Sequence, residues 1–195
     1  MGITEEALRL LRRTHADHLS LAPIWTAARM RGGATHGVLG PYDGEQVRRQ
    51  SVYLRHVTIT EAFIDSLTTQ LFNKKVSHLD LFYQKLSSAA IAEANQSWDN
   101  RKDALRDYHG ISVGDCKTWS QVDACITVRN AIAHGLGRLT ARQRNGRDRR
   151  KVRGVGVDLQ DDYLRIDYNA LDVCVSACAS LVLDVDKGID PAYRG

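Results

Sequence analysis

Residues 45–73 place apolar side chains at helical spacing over about eight turns: Val47, Val52, Leu54, Val57, Ile59, Ala62, Phe63, Leu67 and Leu71. So broad a stripe predicts one long helix, from about Glu45 to Asn73, with most of one side buried. Such a helix is unstable alone, and the rest of the chain offers it helical partners. Residues 3–21 carry Leu8, Leu11, His15 and Leu19 on one face, with Ala7 and His18 beside them. Residues 77–95 put Leu79, Phe82, Leu86 and Ile91 at inward spacing, after a Ser77-His-Leu-Asp80 start that resembles a capping box. A shorter helix is expected from Trp98 to Tyr108, ended by Gly110. Thr118-Trp-Ser-Gln121 reads as a capping box for a helix through Val122, Cys125, Ile126, Ile132 and Ala133 to Gly135.

Strand character is confined to Val155–Leu159 and Tyr163–Tyr168, with Gln160-Asp161-Asp162 as the turn. Asn169 is then placed to cap a last helix that buries Leu171, Val175, Cys178, Leu181 and Val182. Consecutive helices joined by short connections pack antiparallel. The expected fold class is therefore all-α, an antiparallel helical bundle with a small β-hairpin before the C-terminal helix.

Glycines 32, 33, 37, 40 and 44, with Pro41, make residues 31–44 a linker or loop. The expected organisation is an N-terminal helix and Gly-rich linker over 1–44, then a helical domain over 45–195. The first residues, MGITEEALRLLRR, lack the apolar core and cleavage site of a signal peptide, so a cytoplasmic location is expected. Apolar runs such as Val173–Leu183 are too short and too interrupted to span a bilayer, and no membrane partner is expected. The four cysteines, 116, 125, 174 and 178, form no CxxC pair. Cys174 and Cys178 lie one turn apart, which suits buried apolar packing better than a metal pair.

Charge is segregated. The chain carries a formal +4, yet residues 138–153, RLTARQRNGRDRRKVR, alone carry +7, which leaves −3 for everything else. Arg138, Arg142, Arg144, Arg147, Arg149, Arg150, Lys151 and Arg153 are thus candidates for contact with a polyanion, RNA above all. The competing reading is a solvated, partly disordered loop.

The stretch TVRNAIAHGLG, residues 127–137, holds the candidate chemistry. On a helix, Arg129 and His134 point roughly 140° apart and are displaced by about 7.5 Å along the axis. Asn130 and His134 share a face. Gly135 puts His134 in the last turn, where the negative end of the helix dipole attracts an imidazolium. Within one subunit Arg129 and His134 do not converge, but a two-fold dimer that apposes this helix with its copy would line one cleft with two of each. Such a cleft suits RNA cleavage by the RNA's own 2′-hydroxyl. Histidine moves the protons, arginine neutralises the phosphoryl oxygens, and Asn130 orients the imidazole or holds a phosphate oxygen.

Arg129-Asn130-Ala131-Ile132-Ala133-His134 resembles the R-x4-6-H motif of the HEPN superfamily, including the polar residue that often follows the arginine. The layout around it is similar to bacterial HEPN proteins of the RiboL-PSP-associated type: WDNRKDALRDYHGI, then Trp119, then RNAIAHGLGRLT, a hairpin and a closing helix. The resemblance spans about residues 45–186. It implies a small, commonly dimeric helical bundle and, in many members, a metal-independent endoribonuclease of toxin–antitoxin or phage-defence systems. A homodimer, an RNA substrate and an antitoxin or defence-system partner protein are the partners it implies, with no cofactor and no metal. HEPN proteins paired with a nucleotidyltransferase antitoxin often have a tyrosine two residues after the histidine. Leu136 stands there, so modification at that position is not implied. Other HEPN domains are inactive and serve as dimerisation or binding modules, and a few are ligand sensors.

Ordinary structural roles compete for each residue. Arg129 and His134 can make local hydrogen bonds at a helix end. Glu61 and Asp65 share a face of the long helix. Solvation or an unrelated ion pair is their ordinary fate, and holding Arg129 is the alternative. Trp98 and Trp119 read as core anchors. His15, His18, His36, His56, His78 and His109 read as surface or core polar residues. Gly154-Val-Gly156 lacks the third glycine and following helix of a dinucleotide loop.

Overall fold

The computed structural model describes residues 2–29, 35–37 and 40–191, with side chains for 2–20 and 43–191. Seven α-helices form a bundle among them: α1 Ile3–Arg29, α2 Gly44–Val76, α3 Leu81–Ala94, α4 Trp98–His109, α5 Trp119–Gly135, α6 Gly146–Gly154 and α7 Tyr168–Lys187. Two antiparallel hairpins complete it, β1 Thr35–Gly37 with β2 Gly40–Tyr42, and β3 Asp158–Gln160 with β4 Tyr163–Arg165. The second is the hairpin expected before the last helix, with Asp158 opposite Arg165.

The broad stripe makes α2 the hub. It packs against α1, α3, α4, α5 and α7. Tyr53, Val57, Ile64, Leu67 and Leu71 join Leu105, Val122, Val128, Leu171, Cys174, Cys178 and Leu181 in one continuous core. Each such aliphatic side chain contributes roughly 1.5–3 kcal/mol by leaving water. Gln46 pins the start of α2 to the chain before α7, accepting from the Ile166 amide at 2.9 Å and donating to its carbonyl at 3.1 Å. α7 is long and apolar enough to cross a membrane by composition, but its Leu171, Cys174, Leu181 and Val185 are core residues here.

The N-terminal helix belongs to the same core. Ala7 and Leu11 are buried against α2 and α7, and Thr4 donates to Asp186 at 2.5 Å. Of the Gly-rich stretch, residues 30–34 and 38–39 lie outside the described residues, while residues 35–37 and 40–42 pair as β1 and β2.

Four local expectations need correction. Phe82 and Leu86 of α3 point outward, 65% and 52% exposed, and only Ser87 and Ala94 of that helix are buried. α3 begins later than Ser77, with Asp80 accepting from the Phe82 and Tyr83 amides as N-cap. Thr118 makes no side-chain cap and donates instead towards Asp184. Asp167, not Asn169, caps α7 by accepting from Ala170 at 2.8 Å. At Asp80 and Asp167 the anionic side chain also favours the positive end of the helix dipole.

Candidate active site and nucleic-acid interface

α5 runs from Trp119 through the motif and ends where Leu136 and Gly137 both take left-handed backbone conformations, at φ 51° and 80°. At Gly137 this left-handed φ strains any side chain, so the turn favours glycine, and the end of the Gln50 side chain occupies the space beside it. From it the chain joins the hairpin: the Leu164 amide donates to the Gly137 carbonyl at 2.8 Å and the Leu139 amide to the Asp162 carbonyl at 2.9 Å. The end of α5 is therefore fixed on two sides, by α2 and by the β3–β4 hairpin.

Arg129 turns towards α2. Its Nη2 donates to Glu61 Oε2 at 3.2 Å and its Nη1 to Asn130 Oδ1 at 3.0 Å. Glu61 is 9% exposed, and its other oxygen accepts from the Trp98 indole at 2.9 Å. One helical turn along, Asp65 holds Arg101 with two bonds, at 2.6 and 2.9 Å, and Arg101 also reaches the Asn95 carbonyl. Those bonds hold the Arg101 guanidinium above its ordinary pKa. The Trp98 and Trp119 rings lie 5.5 Å apart beside this network. Glu61 thus has the less ordinary of its two readings, since it anchors Arg129, whereas Asp65 makes the unrelated pair.

His134 sits in the last turn of α5, exposed, with no hydrogen bond or ion pair among the described residues. Asn130 bonds to Arg129 rather than to the histidine with which it shares a face. Within one chain, then, the structure brings Arg129 and Asn130 together and leaves His134 apart.

Trp98 and Arg101 are the residues that sequence reasoning did not connect to the motif. The signal was a matching periodicity: Glu61 and Asp65 are four apart on α2, and Trp98 and Arg101 are three apart on α4.

The basic segment is ordered. Gln143 is buried and donates to the Thr127 carbonyl at 2.7 Å, tying the segment to α5. Residues 146–154 then form α6, capped by Asn145 and anchored by buried Val152. Four of the eight cations are engaged structurally. Arg138 stacks on Tyr163 at 5.1 Å, Arg144 and Arg149 pair with Asp162 at 3.6 and 2.5 Å, and Lys151 pairs with Asp123 at 2.5 Å. Arg142, Arg147, Arg150 and Arg153 are exposed and make no ion pair among the described residues. The last three, at intervals of three on α6, form one row.

Compared with protein-family models, curated proteins and solved structures, the chain finds no match. Fold and site geometry therefore define it only as a helical bundle with a charged, partly buried α2–α4–α5 network beside an exposed arginine row.

Proposed function

We propose that this protein is a metal-independent endoribonuclease of the HEPN kind, acting as a homodimer in the cytoplasm within a toxin–antitoxin or phage-defence system. The observation that carries the reading is the disposition of the motif. A guanidinium is fixed by Glu61 and Asn130 yet remains 29% exposed, an unengaged imidazole stands one turn further on, and a row of arginines follows in the chain.

In the dimer, His134 of one subunit takes the 2′-hydroxyl proton and the oxygen attacks the adjacent phosphorus. The 5′-oxygen leaves with a proton from the second His134. The products are a 2′,3′-cyclic phosphate and a 5′-hydroxyl. Arg129 neutralises the non-bridging oxygens, and Asn130 positions Arg129. Arg142, Arg147, Arg150 and Arg153 attract the RNA backbone.

Glu61 favours a second reading. A carboxylate bonded to Arg129 competes with a phosphate for the same donors, as expected of a non-catalytic module that dimerises and binds nucleic acid or an acidic protein. One experiment separates the two. Purified protein is incubated with RNA in EDTA, the termini are analysed, and the mass in solution is measured. Cleavage to cyclic phosphate ends by a dimer, reduced at least about 100-fold in His134→Ala and Arg129→Ala, supports the enzyme. RNA binding that persists in both variants without cleavage supports the binding module.

A further inference from the structure

Past the end of α5 the chain lies along the β3–β4 hairpin as a third, short strand. The bonds from Leu139 to Asp162 and from Leu164 to Gly137 flank Arg138 and Tyr163, which are directly opposed. In such a flanked pair the two side chains stand close together on one face. Alternation sorts the remaining residues. Leu139 and Leu164 are buried, and Leu159 packs against the core. Arg138, Tyr163, Gln160, Arg165 and Asp158 share the outer face.

The centre of that face is a stacked pair, with the Arg138 guanidinium 5.1 Å from the centre of the Tyr163 ring. Both side chains are partly exposed. Arg138 makes no ion pair among the described residues, and its Nε has no hydrogen-bond partner there. Beside Tyr163, Arg165 donates to Gln160 at 3.1 Å and lies 3.7 Å from Asp43. Asp158, opposite Arg165, supplies the acidic group of the face. α6 packs against β3 and brings its exposed row, Arg147, Arg150 and Arg153, to the flank. A second, independent observation lies between His134 and Arg138. Leu136 is 69% exposed, more than any other large apolar side chain among the described residues, and its φ of 51° is one that favours glycine or asparagine. An aliphatic side chain held outward on a strained backbone, two residues from the histidine, marks a contact surface.

We propose that this sheet face is a base-stacking platform for single-stranded RNA. One base stacks on the Arg138–Tyr163 pair, its neighbour lies against Leu136, and the strand continues to His134, four residues and so at most about 14 Å from Arg138. The platform, which rests on the ribonuclease reading above, sets the substrate class of that site. Bases inside a duplex are stacked on one another and cannot reach a side-chain plane, whereas unpaired bases can. Aromatic and guanidinium planes stack every base, so the platform selects an unpaired strand rather than a sequence. The arginine row of α6 attracts the backbone on either side.

The test uses a short uridine-rich 2′-O-methyl RNA carrying 2-aminopurine, free or annealed to its complement. The methyl groups block attack by the 2′-oxygen, so binding is read apart from cleavage, and stacking is read as quenching of the 2-aminopurine fluorescence. Wild type, Tyr163→Leu, Tyr163→Phe, Arg138→Gln and His134→Ala are compared, with Tm as the check on folding, and unmodified RNA is tested for cleavage in parallel. The expected result is quenching on binding and affinity for the single strand at least about tenfold above that for the duplex. Tyr163→Leu should weaken binding roughly five- to hundredfold, as the loss of one base stack requires, and Tyr163→Phe should restore it. Arg138→Gln should also weaken it, and carries the test if Tyr163→Leu does not fold. His134→Ala should bind and quench as wild type does. The platform is overturned if duplex binds as well as single strand, if binding brings no quenching, or if the folded Tyr163 and Arg138 variants bind as wild type does. Cleavage without quenching removes the platform and leaves the ribonuclease. Quenching without cleavage of unmodified RNA does the reverse.

Discussion

His56 shows how much a single side chain can set. It lies in the core with 0% exposure, and neither ring nitrogen has a partner among the described residues. Burial, and then the nearby His15 and His18, push its pKa down to about 3. An unfolded histidine titrates near 6.5. Between those values the unfolded chain binds the extra proton, so stability is fully present above about pH 6.5 and is lost as pH falls towards about 3. The loss from this one group is on the order of 2 kcal/mol by about pH 5. His109, lowered to about 4 by burial and then by Lys75, acts in the same direction. Urea unfolding of wild type at about pH 7 and about pH 5 should show the combined drop from the two histidines, and His56→Leu should remove about half of it. Equal pH dependence in the two proteins would contradict this account of His56.

Among the elements, α3 reverses the usual association of apolar with buried. Phe82 and Leu86 are mostly exposed, so Phe82→Ser or Leu86→Ser should change the unfolding free energy by no more than about 0.5 kcal/mol. Leu105→Ala on α4, a fully buried site, should cost about 2–5 kcal/mol in the same denaturation experiment. The short helix α6 has one buried side chain, Val152, and owes its place to the Asn145 cap and to Asp162 and Asp123 on neighbouring elements. Its arginines therefore divide by role. If the segment binds RNA, replacing Arg142, Arg147, Arg150 and Arg153 with Gln should flatten the salt dependence of affinity. The log–log slope should fall by up to about 0.7 for each phosphate of single-stranded RNA that is no longer neutralised. Replacing Arg149 with Gln should instead cost up to about 1 kcal/mol of stability, because its partner Asp162 is largely buried. Filter binding across a salt series and urea titration measure the two effects.

At the scale of the whole molecule, α1 is a structural member of the bundle. Ala7 and Leu11 fill the core, Thr4 bonds to Asp186, and His15 Nε2 lies 2.8 Å from Asp172. Deleting residues 1–43 should strip the cover from one side of α2 and α7 and abolish cooperative thermal unfolding. A fragment 44–195 that melts at the wild-type temperature would instead make the N-terminal helix a true appendage.

Local pattern alone determined the helical class, the hub helix, the hairpin before α7 and the motif's place at the end of α5. Apolar periodicity and glycine stops act over neighbours a few residues away, and such signals are written in the chain. α3 shows the limit: its apolar spacing is real, but only the position of α2 and α4 decides which face is covered. The starts of α3 and α7 show it again, because Ser77 and Asn169 are capable caps and the backbone selected Asp80 and Asp167, while Thr118 keeps the N-cap position of α5 but turns its hydroxyl to Asp184. Glu61 and Arg129 are 68 residues apart, and Arg9 and Arg55 meet at one cleft from separate helices. Contacts between such distant residues depend on how whole helices pack, so tertiary structure alone decided which charges would be neutralised and which would be left facing solvent.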